Sequence, residues 1–136
     1  MIPVMQTFTH GERGDCLRAC VASLLELPIE DVPNFAAIPG DGKWFNDEKD
    51  GLWYFLLRHG AEYCGVQNPE KAMELSPGID GYFIATVKSV NFSGKEHALI
   101  FQGRELAHDP SPIVPNFSAG QSFSSATTCC SDGLTV

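Results

Sequence analysis

Basic residues and long apolar runs are both scarce in this sequence of 136 residues. It has 9 Lys and Arg against 17 Asp and Glu, which gives a net charge of −8. Because a phosphate backbone is bound by a basic surface, this balance argues against a nucleic-acid partner. No apolar run approaches the ~18 residues that a membrane-spanning helix needs. We therefore expect neither nucleic acid nor a membrane as a partner.

The sequence also has little that marks a secreted protein. Its 5 cysteines are an odd number and lack the spacing of a disulfide framework. Residues 1–6 contain neither a basic region nor an apolar stretch of the length found in signal peptides. Free thiols in a reducing compartment explain these features best, so we expect the protein in the cytoplasm.

Neither an internal repeat nor a linker divides the chain. Its length fits one domain of ~100–200 residues, which we assign to residues 1–117. Residues 118–136 are rich in Ser, Thr and Gly, and they form either a polar tail or an irregular last strand.

Helices are predicted in the first half of the chain and strands in the second. Apolar residues recur at helical spacing over residues 16–27, and residues 46–59 are predicted to form a second amphipathic helix. Patterns typical of β-strands cover residues 82–87, 97–101 and 105–109. The sequence thus predicts an α+β fold in which helices pack on a small antiparallel sheet.

Cys16 stands at the start of the first predicted helix, directly after Gly14 and Asp15. The dipole and the free N–H groups at a helix N-terminus stabilise a thiolate, the reactive form of cysteine. Cys16 is therefore a candidate nucleophile, although a small buried cysteine would fit the same position. We expect the Asp15 carboxylate to cap the helix, and Cys20, one turn later, to lie in the core.

His97 and Asp109 are the candidate partners of such a nucleophile. His97 opens one predicted strand and Asp109 closes the next. An imidazole can act as the general base, and a carboxylate bound to it fixes its orientation. If the hairpin loop has three residues, His97 lies directly opposite Asp109; if it has two, His108 comes to the face of His97 instead. The sequence favours neither loop, and a Cys–His–Asp set requires the first.

Gln6 is the remaining candidate. An amide side chain upstream of the nucleophile can donate, together with the Cys16 backbone N–H, to the oxyanion that forms when a carbonyl is attacked. From the residues alone, an exposed residue near the N-terminus is the favoured interpretation of Gln6.

These motifs together resemble the papain-like cysteine peptidase superfamily: Gln6, then Gly14-Asp15-Cys16-Leu17-Arg18-Ala19-Cys20, then His97-Ala98, then His108-Asp109-Pro110. They look most like the bacteriocin-processing (double-glycine) peptidase domains of export transporters and like small phage and bacterial proteins of similar length. Members begin their central helix with a Gly/Asp-Cys-x-x-Ala-Cys motif. A histidine on a strand and then an Asp or Asn follow it.

The resemblance implies a papain-like fold and a cysteine hydrolase that cleaves amide bonds, as a peptidase or isopeptidase, through an acyl-enzyme. It implies Cys16 as nucleophile, His97 as general base, Asp109 as orienting residue and Gln6 in the oxyanion hole. It implies a protein or peptide substrate, with no cofactor and no metal. A phage-encoded member would act in the host cytoplasm.

Three other functions stay open at this point. The same triad would serve a deamidase or amidase. An inactive protein of this fold could sequester a host protein or a small signalling molecule, and the acidic surface would suit a basic partner. A metal site of Cys16, Cys20, His97 and His108 is the third alternative, although C-x-x-x-C is not the usual spacing of structural zinc ligands.

Overall fold

A computed structural model describes residues 1–7, 14–66, 81–88, 96–103, 105–112 and 125–131 of the protein. The helices of this part are α1 (Cys16–Leu25), α2 (Lys43–Asn46) and α3 (Leu52–Arg58), with two single-turn 3₁₀ helices at Ile29–Asp31 and Phe35–Ala37. The strands are β1 (Ala61–Val66), β2 (Tyr82–Lys88), β3 (Glu96–Gln102), β4 (Glu105–His108) and β5 (Ser125–Ser131). The protein therefore has an α+β fold, as the sequence predicts.

Helix α1 begins at the predicted residue and ends slightly earlier than predicted. Glu26 adopts a left-handed conformation with φ of 58°, and the Leu27 N–H turns back to donate to the Ala22 carbonyl at 2.9 Å. This arrangement satisfies carbonyls of the last helical turn. Pro28 then follows, and the helix cannot continue through it because proline lacks the backbone N–H that a helix interior needs.

The helix predicted over residues 46–59 is confirmed only in its second part, α3, because a turn over residues 47–51 separates α3 from α2. The Asp47 carboxylate accepts hydrogen bonds from the N–H groups of Lys49 (3.2 Å) and Asp50 (2.8 Å). Such local side-chain bonds compete with helical hydrogen bonding. Gly51 packs so closely on this turn that an added Cβ would lie 2.5 Å from the Asp47 nitrogen. The local bonds of Asp47 thus outweigh the amphipathic pattern.

The five strands form one antiparallel sheet in the order β1-β5-β2-β3-β4. Strands β2, β3 and β4 correspond to the three predicted strands, whereas β1 was not predicted. Strand β5 falls within residues 118–136, where the sequence left a strand or a tail open, and it pairs with both β1 and β2. The last strand of the chain therefore lies inside the sheet.

The β3–β4 hairpin follows neither predicted register throughout. Gln102 pairs with Glu105, which is the register of a two-residue loop, but a β-bulge then shifts the pairing to Ile100 with His108. The bulge adds one residue to β4, and one extra residue reverses which face the following side chains occupy. Asp109 consequently returns to the face of His97. A three-residue loop is not needed to bring the two together.

Helix α1 packs on the central strands and forms the core with them. Its residues Cys20, Val21 and Leu24 are buried against Ile84 of β2 and Ile100 of β3. Cys20 lies in this core, as predicted, and its exposure is 0%. No helix within the described ranges combines the length and the apolar character that a membrane crossing requires.

Two adjacent leucines on α3 provide a test of this packing. Leu56 has 0% exposure and Leu57 has 44%. We expect Leu56→Ala to lower the free energy of unfolding by about 2–5 kcal/mol, because it leaves a cavity in the core. Leu57→Ala, the control with the same change in helix propensity, should stay within about 0.5 kcal/mol of the wild type. Equilibrium urea unfolding measures both, and equal losses would contradict the packing described.

Candidate active site

The structure brings the three predicted catalytic residues together at one end of β3. The His97 Nε2 and the Asp109 Oδ1 are 2.7 Å apart, a short hydrogen bond of the kind that charged partners form. The Ala98 backbone N–H, next to His97, donates to the Cys16 Sγ at 3.4 Å. Cys16 begins α1, so the sulfur lies where a helix N-terminus meets the start of a strand.

The electrostatic state of His97 follows from its two partners. Burial by itself lowers the pKa of the imidazole, but hydrogen bonds to Asp109 and to Cys16, together with the negative charges of both, raise the pKa from 6.5 to about 9. Since Nε2 is bound to Asp109, Nδ1 is the nitrogen left for the Cys16 sulfur. The ring is therefore protonated at neutral pH, with Asp109 and Cys16 as its two partners.

The N-terminal segment, residues 2–7, is fixed between α1 and the end of β4. On the α1 side, the Val4 N–H donates to the Ser23 hydroxyl at 2.9 Å. On the other side, the Val4 carbonyl lies 2.8 Å from His108 Nε2, and the Gln6 N–H donates to the Pro110 carbonyl at 2.9 Å. Gln6 is thereby anchored beside the residue that follows Asp109. It is buried, with 8% exposure, so the interpretation as an exposed terminal residue is wrong.

Asp15 connects this N-terminal segment to the nucleophile. Its carboxylate makes no capping bond to the N–H groups of α1, contrary to the prediction. Instead, Oδ1 accepts from the Thr7 N–H at 2.8 Å, and Oδ2 faces the Arg18 guanidinium at 3.4 Å. Arg18 also donates from Nε to the Val32 carbonyl at 2.7 Å. The buried Asp15 carboxylate thus links Thr7, the residue after Gln6, to the start of the helix that carries Cys16.

The anchoring roles of Asp15, Ser23 and His108 were not predicted. Each depends on a contact between segments that are distant in sequence, and no local pattern signals such a contact. The sequence indicates Asp15 only through its position before Cys16. It indicates His108 only through the alternative hairpin register and through the alternative of a metal site. The buried Ser23 hydroxyl, in the middle of an apolar helix, was the one available signal of a long-range partner.

A cleft of about 650 Å³ opens beside Cys16. Its lining includes the Cys16 side of α1, the turn at residues 40–42 and the ends of β2 and β3. The aromatic rings of Trp44 and Tyr63 also line it. The cleft therefore gives access to Cys16.

The metal site considered from sequence does not assemble in the described part of the chain. Cys20 is enclosed in the core, and His108 binds the Val4 carbonyl. Across residues whose placement is described, no group of three or more His, Cys, Asp or Glu side chains could hold a metal ion. His97 instead binds Asp109, and the Cys16 sulfur accepts from the Ala98 N–H.

The raised pKa of His97 leads to a titration experiment. Because the folded-state pKa of about 9 exceeds 6.5, protonated His97 stabilises the fold below about pH 6.5, and this contribution is lost as the pH rises through 9. Asp109→Asn removes the negative partner, so the His97 midpoint should fall by at least about one pH unit. NMR titration of the imidazole signals measures it, with the exposed His59 as internal control. An unchanged midpoint would contradict the role given to Asp109.

Comparisons with known proteins add no relative to this description. The chain matches no protein-family model, no curated protein and no solved structure.

Proposed function

We propose that the protein is a cysteine hydrolase of papain-like architecture, which cleaves an amide bond in a protein or peptide through an acyl-enzyme. The observation that supports this most directly is the chain of Cys16, His97 and Asp109, with 2.7 Å between His97 Nε2 and Asp109 Oδ1. Nucleophile, base and orienting group stand in the order that covalent catalysis needs. The nucleophile at the start of a buried helix, and the base on an adjoining antiparallel strand, support the architecture.

In the proposed first half-reaction, the Cys16 thiolate attacks the carbonyl carbon of the substrate. The protonated imidazole beside it favours the thiolate, because the two opposite charges attract in a partly desolvated site. As the tetrahedral intermediate collapses, the C–N bond breaks and His97 gives its proton to the leaving amine. The products of this step are a free amine and a thioester at Cys16.

Water resolves the thioester in the second half-reaction. Neutral His97 takes a proton from a water molecule, whose oxygen attacks the thioester carbonyl. The C–S bond breaks, the acid product leaves, and the thiolate faces a protonated His97 again. Asp109 keeps the ring oriented throughout and stabilises its charged form.

Gln6 and the Cys16 backbone N–H are the proposed donors to the oxyanion. Two features support Gln6: its side chain is buried, and its backbone is held at Pro110, next to Asp109. Asp15 binds the following residue, Thr7, and so limits how far the glutamine can move from Cys16. A donor held in place before the reaction stabilises developing charge without reorganisation.

Alkylation of the thiol tests the activated nucleophile without knowledge of the substrate. We expect iodoacetamide at about pH 6 to label Cys16 at least about 10-fold faster than an ordinary thiol with a pKa of ~8.5, because His97 favours the thiolate. His97→Gln should slow the labelling to the ordinary rate. Peptide mapping by mass spectrometry identifies the site, and Cys20, one turn along the same buried helix, is the internal control.

Turnover is tested with the wild type and Cys16→Ala on a peptide library. New N-termini would identify a peptidase, whereas a gain of about one mass unit at Gln or Asn, from amide to acid, would identify a deamidase. Cys16→Ala should abolish either product and remain folded. Slow labelling of Cys16 with no product from the wild type would contradict the proposal and favour a binding protein of the same fold.

The oxyanion role is tested by a pair of substitutions. We expect Gln6→Ala to lower kcat on a simple ester such as 4-nitrophenyl acetate by about 100- to 1,000-fold. Labelling by iodoacetamide should be unaffected, since the thiolate needs only His97. Asp15→Asn replaces the charged acceptor of the Thr7 N–H by a weaker, neutral one and removes the charge that pairs with Arg18. It should therefore also lower kcat, and the double variant should lose no more than Gln6→Ala alone, because Asp15 acts through Gln6.

Asp15→Asn keeps an oxygen that can accept from Thr7, so it is a milder change than Asp15→Ala. Thermal unfolding should show that the Asn variant is folded at the assay temperature. Fully additive losses in the double variant would mean that Asp15 does not act through Gln6.

A further inference from the structure

The charged side chains that line the cleft beside Cys16 are all acidic among the described residues. Two carboxylates, Asp41 and Glu96, belong to its lining, and no Lys or Arg does among the described residues that form it. Both acids are exposed at its opening. The whole chain carries a net charge of −8, so its long-range field has the same sign. Low-dielectric walls concentrate such a field in a cleft and attract ligands of the opposite charge.

Asp41 is presented by a turn whose backbone restricts the residues on either side of it. Gly40 and Gly42 have φ of 104° and 72°, conformations that L-residues rarely adopt. A Cβ at Gly40 would come within 2.7 Å of the Lys43 Cγ, so the turn is also packed on one side. Asp41 therefore has a defined position at the cleft even though it lies in a loop.

The two carboxylates differ in where the neighbouring cation lies. Glu96 of β3 is paired in register with Lys88 of β2, so a positive charge lies on the neighbouring strand. Lys43 is the nearest cation to Asp41 in sequence, and it is exposed outside the cleft lining. We therefore expect Asp41 to contribute more than Glu96 to the field at Cys16.

The remaining lining suits the same ligand chemistry. Trp44 exposes 41% of its surface, and its ring contacts that of Phe45, with centroids 5.3 Å apart. Phe45 in turn packs edge-on against Tyr63, at 4.7 Å. An exposed indole face attracts cations through its quadrupole, and the aliphatic stem of a Lys or Arg packs on apolar walls. Aromatic rings next to carboxylates thus form a surface that favours the binding of a cationic side chain.

We propose that this cleft binds substrates with a positively charged group, such as a Lys or Arg side chain, next to the amide that Cys16 attacks. The identity of the attacked bond rests on the function proposed above. The preference for a cation does not, because it depends only on Asp41, Trp44 and the field of the cleft.

The charge preference is measured at Cys16 with two thiol reagents of similar size. The probes are methanethiosulfonates, one ending in trimethylammonium and the other in sulfonate. In each case the thiolate attacks the probe sulfur, a mixed disulfide forms, and methanesulfinate leaves. The rate constant at Cys16 is followed by peptide mapping, and 2-mercaptoethanol in the same buffer corrects for the intrinsic reactivity of each probe.

We expect the corrected ratio of cationic to anionic rates to be at least about fivefold in the wild type. Asp41→Asn should lower this ratio by at least about twofold, and Glu96→Gln should lower it less. Asp31→Asn, which makes the same change of net charge outside this cleft, is the control and should leave the ratio unchanged. Salt of about 0.5 M should reduce the ratio by screening.

A corrected ratio near one, or equal effects of Asp41→Asn and Asp31→Asn, would overturn the proposed preference. This outcome is distinct from failure of the hydrolase. A protein that selects the cationic probe but gives no products from the peptide library retains the cationic site and loses the catalytic function. A protein that hydrolyses peptides without charge selection shows the reverse.

Discussion

The hydrogen bond between His97 and Asp109 depends on one extra residue in the β3–β4 hairpin. The two-residue loop would by itself carry Asp109 to the wrong face of the sheet, and the bulge between Ile100 and Phe101 returns it. The described pairing of β3 with β4 ends at Ile100 and His108. Two residues before Ile100 on β3, the Ala98 N–H donates to the Cys16 sulfur. A local irregularity in pairing thus determines that Asp109, and not His108, lies on the face of His97. Bulges are frequent beside functional sites for this reason.

The N-terminal segment makes the fold and the geometry of the candidate site depend on the same bonds. Ser23 and Asp15 hold it on α1, while His108 and Pro110 hold it at the end of β4. The Asp15 side chain has 0% exposure and its partner Arg18 17%, so removal of Arg18 would leave a buried carboxylate without this cation. The segment that carries Gln6 is therefore part of the packed structure, which is how a residue so near the N-terminus can be held at the site.

Short-range signals in the sequence account for much of the fold and for the three central site residues. Cys16 at a helix start and His97 at a strand start are both local patterns, and the structure has them so. The hairpin register could not be deduced, because the bulge lies within the paired strands and the loop residues carry no signal of it. The split of the second helix has a local cause in Asp47, but amphipathic spacing obscures it. The role of Asp15 and the burial of Gln6 arise from contacts across the sequence, which spacing cannot predict.

The position of β5 has a consequence for the order in which the sheet can assemble. Strand β5 lies between β1 and β2, so the described sheet has no direct pairing that joins β1 to the strands of the β2–β3–β4 meander. Pairing within the meander closes short stretches of chain, whereas β1 and β5 join residues as distant as Ala61 and Ser131. Distant pairings form more slowly because more chain entropy is lost before contacts compensate for it. During synthesis on the ribosome, β3, which carries His97, would therefore emerge and pair with β2 and β4 before β5 can enter the sheet between β1 and β2.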